Sequence, residues 1–223
     1  CYKNKFKSDL PSNWQDLPIM EKSNYQNKLK NLLSDGCSMS SIYISNTSGS
    51  SGHPFFFAKD KFAHSMSWAL INDRYKNYDI NMASKQARFF GIPLESSSHM
   101  KEKAKDFILN RVRFPVFDMS KEIVFNFLEK FKKKKFQYIY GYVNSLVLFS
   151  RHLIDMKVTL KEICPSLRYC ITTSEMLTPH DKEILIQAFN LPIINEYGVS
   201  EVGGLVAIEA VSYTHLRAHE TRG

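Results

Sequence analysis

A short segment rich in glycine and hydroxyl side chains is the part of the chain best suited to chemistry. It follows an alternating apolar run and consists of Thr47, Ser48, Gly49, Ser50, Ser51 and Gly52. Glycine lets the backbone approach a ligand closely, and the hydroxyls add hydrogen-bond donors to those of the backbone amides. Such a loop suits a polyphosphate, although the same composition also fits a flexible surface loop. No Gly-Lys-Ser/Thr sequence ends it, so it differs from the lysine-containing phosphate loop.

Strands and helices alternate around this segment and after it. The spacing of apolar residues predicts helices over 61–75, 100–111, 120–131, 144–156 and 179–189. Short apolar runs predict strands over 41–46, 55–57, 136–140, 168–172 and 192–195, and a strand followed by a loop over 86–98. The repeated strand–helix–strand order indicates an α/β fold with a mostly parallel sheet covered by helices.

The ends of the predicted strands are the next candidates for a site. Ligands of open α/β sheets bind beyond the carboxyl ends of the strands. The residues in those positions are Gly141-Tyr142, Thr173-Ser174-Glu175 and Glu196-Tyr197-Gly198. We therefore expect these three segments to meet at one edge of the sheet.

Composition limits the classes of function. The chain has 223 residues, of which 43% are hydrophobic, enough for one large or two small domains. The net charge of +8 is spread out except in the lysine-rich segment 130–135, which reads as the solvated end of a helix, so we expect anionic substrates such as nucleotides and no nucleic-acid partner. No apolar run of about 18 residues and no signal-peptide pattern occur, so we expect a cytoplasmic protein without a membrane partner. The four cysteines have no spacing typical of zinc or disulfides.

Several motifs, taken together in their order and spacing, resemble the adenylate-forming (AMP-forming) ligases, most closely the phenylacetate-CoA ligase and capsular-polysaccharide CapK-like branch. The resemblance covers about residues 15–210 and rests on 47–52 (TSGSSG), 88–93 (RFFGIP), 113–118 (RFPVFD), 140–145 (YGYVNS), 173–179 (TSEMLTP) and 195–201 (NEYGVSE).

The resemblance implies a reaction and its participants. A carboxylic acid and ATP would give an acyl-adenylate and pyrophosphate, and the acyl group would pass to a thiol, usually that of coenzyme A. The substrates would be a small carboxylic acid and a nucleotide, with Mg²⁺ as the metal. The oligomeric state is not implied.

The resemblance also implies roles for individual residues. Thr47 and Glu201 would be catalytic, Glu201 as the magnesium ligand, and Tyr140, Gly141 and Tyr142 would line the acyl pocket. The ATP-binding residues would be Thr47, Ser48, Gly49, Ser50, Ser51 and Gly52 at the phosphates, and Ser174, Glu175, Met176, Asn195, Glu196, Tyr197, Gly198 and Ser200 around the adenine and the α-phosphate. Some of these residues also have an ordinary structural interpretation: Tyr197 could be a core tyrosine, Glu201 a glutamate in the first turn of a helix, and 173–175 a cap before the helix that begins at Pro179.

The resemblance implies a domain boundary as well. Residues 1–210 would be part of the large N-terminal adenylation domain, truncated, and 211–223 match no continuation of the family and read as a non-native tail. The small C-terminal lid domain with its catalytic lysine would lie beyond this chain, so we expect the chain alone not to complete adenylation efficiently. The alternative is a non-catalytic nucleotide-binding or scaffold homologue associated with polysaccharide biosynthesis.

Overall fold

The described part of the chain forms two units. The computed structural model describes residues 13–16, 25, 28–33, 37–47, 55–91, 103–199 and 204–209. One unit comprises Cys1–Leu70 with Val199–Gly204, and the other comprises Ile71–Gly198 with Leu205–Gly223. The helix over Lys61–Lys76 contributes residues to both.

The first unit is built on a hairpin. Strands β1 (Ile42–Asn46) and β2 (Phe56–Asp60) pair in antiparallel register, with Asn46 opposite Phe56. A short helix, α1 (Leu29–Leu32), precedes the hairpin, and α2 (Lys61–Lys76) follows it. The predicted strands and the predicted helix after them are therefore confirmed, and the segment between the strands lies outside the described residues.

The predicted apolar face of α2 is not buried. Phe62 is 75% exposed, Met66 is 53% exposed and Leu70 is 40% exposed, whereas the buried residue of this helix is Tyr75. Helical periodicity identified the helix correctly, but periodicity cannot show which apolar stripe finds a packing partner.

The second unit contains a mixed sheet with six strands in the described residues. Its strands are β3 (Gln86–Phe89), β4 (Arg111–Phe114), β5 (Tyr138–Tyr142), β6 (Tyr169–Thr173), β7 (Ile193–Val199) and β8 (Gly204–Ile208). They lie in the order β4-β3-β5-β6-β7-β8, and the pairs from β4 to β7 are all parallel. The predicted α/β class with a mostly parallel sheet is confirmed.

Helices cover one face of this sheet with a phenylalanine-rich core. These helices are a short one over 103–108 (α3), α4 (Lys121–Lys133), α5 (Val143–Asp155), α6 (Leu160–Ile163) and α7 (Pro179–Phe189), of which α4 to α7 contribute to the core. The α4 helix buries Val124, Phe127, Leu128 and Phe131, which the i, i+3, i+4 pattern had placed on one side. Phe89 stacks on Phe114 with ring centroids 4.9 Å apart.

Tyrosine and isoleucine side chains cover the opposite face of the sheet. Tyr75, Tyr78 and Ile80 pack there against Tyr138, Ile171 and Ile194. Tyr75 meets Tyr138 edge to face at 6.2 Å. This face therefore combines apolar rings with hydroxyl groups.

Two predicted boundaries in the second unit are wrong. Residue 111 was expected to end a helix, but the helix covers 103–108 and Arg111 begins β4. Arg111 and Arg113, which alternate along β4, both donate hydrogen bonds to Asp106, and this contact lets them lie in a strand. Gly141 was expected to stop a strand, yet β5 continues through it to Tyr142. Among the described helices none is both long and apolar enough to cross a lipid bilayer.

Candidate functional site

The carboxyl ends of three neighbouring strands bring the predicted segments to one edge of the sheet. Tyr142 lies opposite Thr173, and Thr173 lies opposite Glu196 in the parallel register. The motif around Glu196 lies inside β7, which extends to Val199, and does not follow the strand as expected. The segments 140–142, 173–175 and 195–198 thus lie side by side, and their individual roles remain predictions.

Gly141 is required by packing between β3 and β5. A Cβ atom at this position would lie 2.7 Å from the Cβ atom of Phe89 and 3.0 Å from its carbonyl oxygen. Any larger residue would push the two strands apart. The side chains available to a ligand in this segment are therefore those of its neighbours.

Glu196 accepts hydrogen bonds from hydroxyl groups on the tyrosine-covered face. Tyr75 donates to Oε2 at 2.6 Å, Tyr140 donates to Oε1 at 2.8 Å, and Thr173 donates to Oε1 at 3.4 Å. The residue is only 8% exposed. Burial, with further contributions from Glu196, raises the pKa of Tyr75 and of Tyr140, so both phenols stay protonated as donors. The Glu196 side chain thus organises the sheet face on which Tyr140 lies.

Thr47 closes the β1–β2 hairpin. Its backbone amide donates to the Phe55 carbonyl at 3.0 Å, and its Oγ1 accepts from the Phe55 amide at 3.1 Å. The remaining loop residues of the prediction, Ser48, Gly49, Ser50, Ser51 and Gly52, lie outside the described residues, as do Ser200 and Glu201.

The segment after β6 makes a strained turn toward α5. Ser174 has φ of 68°, a left-handed conformation that favours glycine. Glu175 Oε2 accepts from the Asn144 amide at 2.7 Å and so caps the first turn of α5, where an anion is favourable. Met176 is 83% exposed. The backbone of this segment is therefore held by its own side chains at the edge of the sheet.

A pocket of about 540 Å³ lies beside β7. Asn195 and Tyr197 both line it, two residues apart on the same face of β7. The Tyr197 side chain is 61% exposed. The rest of the lining comes from Leu177, Thr178, Pro179, Lys182, Ala207, Ile208 and Glu209.

Glu209 fixes the wall of this pocket. Its Oε2 accepts from the Asn195 amide at 3.2 Å, and its own amide donates to the Asn195 carbonyl at 2.9 Å. Its Oε1 accepts from Lys182 Nζ at 2.7 Å. A half-exposed aromatic ring beside a fixed polar wall can hold a flat heterocycle by stacking and by hydrogen bonds at its edge.

A metal site is not formed by the residues whose placement is described. Among them no group of three His, Cys, Asp or Glu side chains is arranged to hold an ion. The predicted ligand, Glu201, is outside this part of the chain. Magnesium therefore stays an expectation based on the resemblance.

Arg88 lies near the site but was not predicted as a site residue, because it appeared in the sequence only as the first residue of the motif 88–93. It lies half-buried in β3, a strand with a neighbour on each side, although arginine is mostly exposed. That contradiction between residue type and position is the signal that could have singled it out.

Sequence comparisons identify no relative. No protein-family model matches the chain, and no curated protein matches it significantly.

Solved structures of similar fold do exist. A 2-hydroxyisobutyryl-CoA ligase in an open conformation, in complex with 2-HIB-AMP and CoA, has a TM-score of 0.55 and 13% identity over 83% of this chain and 44% of that chain. The ATP-bound RpMatB-BxBclM chimera has a TM-score of 0.52 and 15% identity, covering 75% and 30%. The Vibrio cholerae adenylation domain AlmE, in complex with glycyl-adenosine-5'-phosphate, has a TM-score of 0.50 and 20% identity, covering 77% and 31%.

These comparisons concern the fold. The chain spans less than half the length of each of the three structures. One is a CoA ligase, one is an adenylation domain and one is an ATP-bound chimera, and what they share with this chain is the fold. The chain therefore has the α/β fold of the N-terminal domain of adenylate-forming ligases.

Proposed function

We propose that this chain is the nucleotide-binding part of an enzyme that activates a carboxylic acid with ATP to give an acyl-adenylate. The observation that carries the proposal is the pocket beside β7. Two residues that the sequence motif assigned to the nucleotide, Asn195 and Tyr197, line it together. The shared fold with structures that hold adenylates supports the same reading.

In this proposal the pocket holds the adenine. The exposed ring of Tyr197 stacks on the base, and the polar wall made by Asn195 and Glu209 meets its edge. The backbone of Ser174, Glu175 and Met176, at the adjacent strand end, borders the base on its other side. Stacking on an aromatic ring with polar contacts at the edge is how proteins commonly hold a nucleobase.

The phosphates are assigned to the hydroxyl-rich segment. Thr47 and the segment that follows it would donate hydrogen bonds to the β- and γ-phosphates, and neutral donors suit a pyrophosphate that must leave. Ser200 would contact the α-phosphate, and Glu201 would bind Mg²⁺. When bound, the ion would offset the repulsion between the acid and the triphosphate and polarise the phosphoryl oxygens.

The finer parts of the proposal follow from the resemblance. The acceptor of the acyl group is coenzyme A, as the name of the 2-hydroxyisobutyryl-CoA ligase indicates for that enzyme. The branch is that of phenylacetate-CoA ligases and CapK-like proteins of capsular polysaccharide biosynthesis, and the place of action is the cytoplasm. The acid pocket would include Tyr140 and Tyr142.

Calorimetric titration of the 223-residue chain with AMP tests the proposal. We expect binding by the wild type and a loss of at least about tenfold in affinity for Tyr197→Ala, because the stacking surface is removed. Phe125→Ala, at a 58% exposed ring on α4, is the matched control and keeps wild-type affinity. Wild-type chain that binds no AMP, or equal affinities for Tyr197→Ala and Phe125→Ala, would refute the proposal.

A further inference from the structure

The order of the strands reverses between β3 and β5. The chain passes from β3 to β4 on one side of it and then to β5 on the other, which gives the order β4-β3-β5. In open parallel sheets the crevice beyond the carboxyl ends of two such strands is the usual ligand site. Here that crevice begins at Phe90 and Gly91 after β3 and at Tyr142, the last residue of β5.

Arg88 reaches toward this crevice along aromatic rings. Its Cζ lies 4.1 Å from the ring centroid of Phe90 and 5.1 Å from that of Tyr140. The Phe90 ring is parallel to the Tyr140 ring, within 1°, at 5.4 Å, and lies 4.2 Å from that of Tyr142. Gln86 and Phe90 lie two residues before and two residues after Arg88 on the same side of the chain, so the guanidinium lies along this side of β3 and contacts the ring that follows the strand.

One donor of this guanidinium has no acceptor among the described residues. Arg88 Nε is buried without a hydrogen-bond partner in that part of the chain, and Nη1 donates a long hydrogen bond of 3.4 Å to Gln86 Oε1. The nearby carboxylate, Asp106, is engaged by Arg111 at 2.5 Å and by Arg113 at 3.0 Å. Burial and the two neighbouring arginines lower the pKa of Arg88. A buried N–H donor without an acceptor is costly, so an anion that reaches Nε would be bound favourably here.

The surroundings select the kind of anion. A guanidinium offers parallel N–H donors that match the two oxygens of a carboxylate. The rings of Phe90 and Tyr142 form apolar walls, which suit an organic body attached to the carboxylate better than a bare inorganic ion.

We propose that Arg88 binds a carboxylate group of the organic acid at the crevice between β3 and β5, and so selects the acid that the enzyme takes. This inference rests on the proposed function, because it assigns the acid side of the same reaction. The bound carboxylate is either the one that becomes adenylated or a second one on the same acid. The two cases share the same chemistry and differ in which acids bind.

Titration with matched acids and amides tests this assignment. The probes are benzoate, its neutral isostere benzamide, and the diacid terephthalate, each added to the 223-residue chain in a buffer without carboxylates. We expect the wild type to bind at least one acid about tenfold or more tightly than benzamide, and Arg88→Met to lose this preference. Arg151→Met, at an exposed arginine of α5, is the matched control and keeps the preference.

A second variant separates recognition from folding. Arg88→Lys keeps the charge but removes the planar fork, so we expect a weakened but measurable preference and a folded chain. If benzoate binds more tightly than benzamide, Arg88 binds the carboxylate that becomes adenylated, since benzoate has no other. If only terephthalate binds more tightly than benzamide, Arg88 binds a second carboxylate on the acid. Equal binding of acids and benzamide by the wild type, or an unchanged preference in both Arg88 variants, would overturn the proposal.

The AMP titration keeps this result distinct from the proposed function. If AMP binding depends on Tyr197 but acid binding does not depend on Arg88, only the assignment of Arg88 is wrong. If AMP does not bind at all, the proposed function fails, and the assignment of Arg88 as its acid-binding residue fails with it.

Discussion

The two faces of the six-stranded sheet use different chemistry. The face under the helices is packed with phenylalanine, and Phe89, Phe114 and Phe149 are fully buried there. The opposite face combines isoleucine with tyrosine and carries the carboxylate of Glu196 and the guanidinium of Arg88. The first face stabilises the unit by apolar burial, whereas the second must give each buried polar group a partner. The candidate acid site lies on the second face.

The largest effect is expected from damaging the phenylalanine-covered face. Phe114→Ala should lower the free energy of unfolding by about 3–5 kcal/mol, because it leaves a cavity next to the stacked ring of Phe89. Urea unfolding of the chain measures this loss. Phe125→Ala, on the exposed side of α4, should change it by about 0.5 kcal/mol or less. Equal losses in the two variants would contradict the packing described for this face.

Alkaline pH should destabilise the tyrosine-covered face. Burial raises the pKa of Tyr138 to about 12, above its ordinary value of 10.0. The unfolded chain therefore releases this proton first, and stability falls as pH rises from about 10 to about 12, by up to about 1.4 kcal/mol per pH unit for this one group. Urea unfolding across this range measures the fall, which Tyr138→Phe should reduce. An unchanged pH dependence in Tyr138→Phe would show that the buried phenol is not its source.

Removing the shared acceptor of the tyrosine-covered face should cost somewhat less. Glu196→Ala leaves the hydroxyls of Tyr75 and Tyr140 without their acceptor and should lower the free energy of unfolding by about 2 kcal/mol. Glu196→Gln retains an acceptor oxygen and should lower it by about 1 kcal/mol. Thermal unfolding at neutral pH compares the two. A loss for Glu196→Gln as large as that for Glu196→Ala would mean that charge, and not hydrogen bonding, dominates at this position.

The smallest effect is expected at Ser174, which directly follows β6 at the edge of the sheet. Ser174 adopts φ of 68°, so Ser174→Gly should raise the free energy of unfolding by up to about 1 kcal/mol through relief of backbone strain. Asn190→Gly is the control, because asparagine tolerates the left-handed conformation at its helix end with φ of 51° and the gain should be smaller. A lower free energy of unfolding for Ser174→Gly would show that the serine side chain stabilises the chain by more than the strained backbone destabilises it.

Periodicity and turn residues predicted the elements of the sheet and its helices well. The helix over 179–189 is confirmed, and Thr178 caps it by accepting from the Asp181 amide at 3.1 Å. The strand β4 was missed because Arg111 and Arg113 look like surface residues, and only the tertiary contact with Asp106 allows them to lie half-buried in a sheet. Gly141 was read as a strand end, since its close approach to Phe89 depends on a strand that is distant in sequence.

The candidate site was predicted in part. Parallel strand order was enough to place Tyr142, Thr173 and Glu196 at one edge. Alternation along β7 explains why Asn195 and Tyr197 share a pocket, while the carboxylate of Glu196 is held by Tyr75 and Tyr140 on the tyrosine-covered face. The position of Arg88 in a predicted apolar strand could be noticed in the sequence, but its buried Nε without an acceptor among the described residues could not, because only the folded structure shows which donors lack acceptors.

Photolabelling with 8-azidoadenosine monophosphate tests the central claim most directly, because it reports which residues lie beside the bound base. The account predicts that the label is attached within 177–182, 195–197 or 207–209, the segments that line the pocket of about 540 Å³, and that unlabelled AMP competes with it. Label attached instead to α4 or to the phenylalanine-covered face, with the pocket segments unlabelled, would contradict the assignment of a nucleotide site at β7.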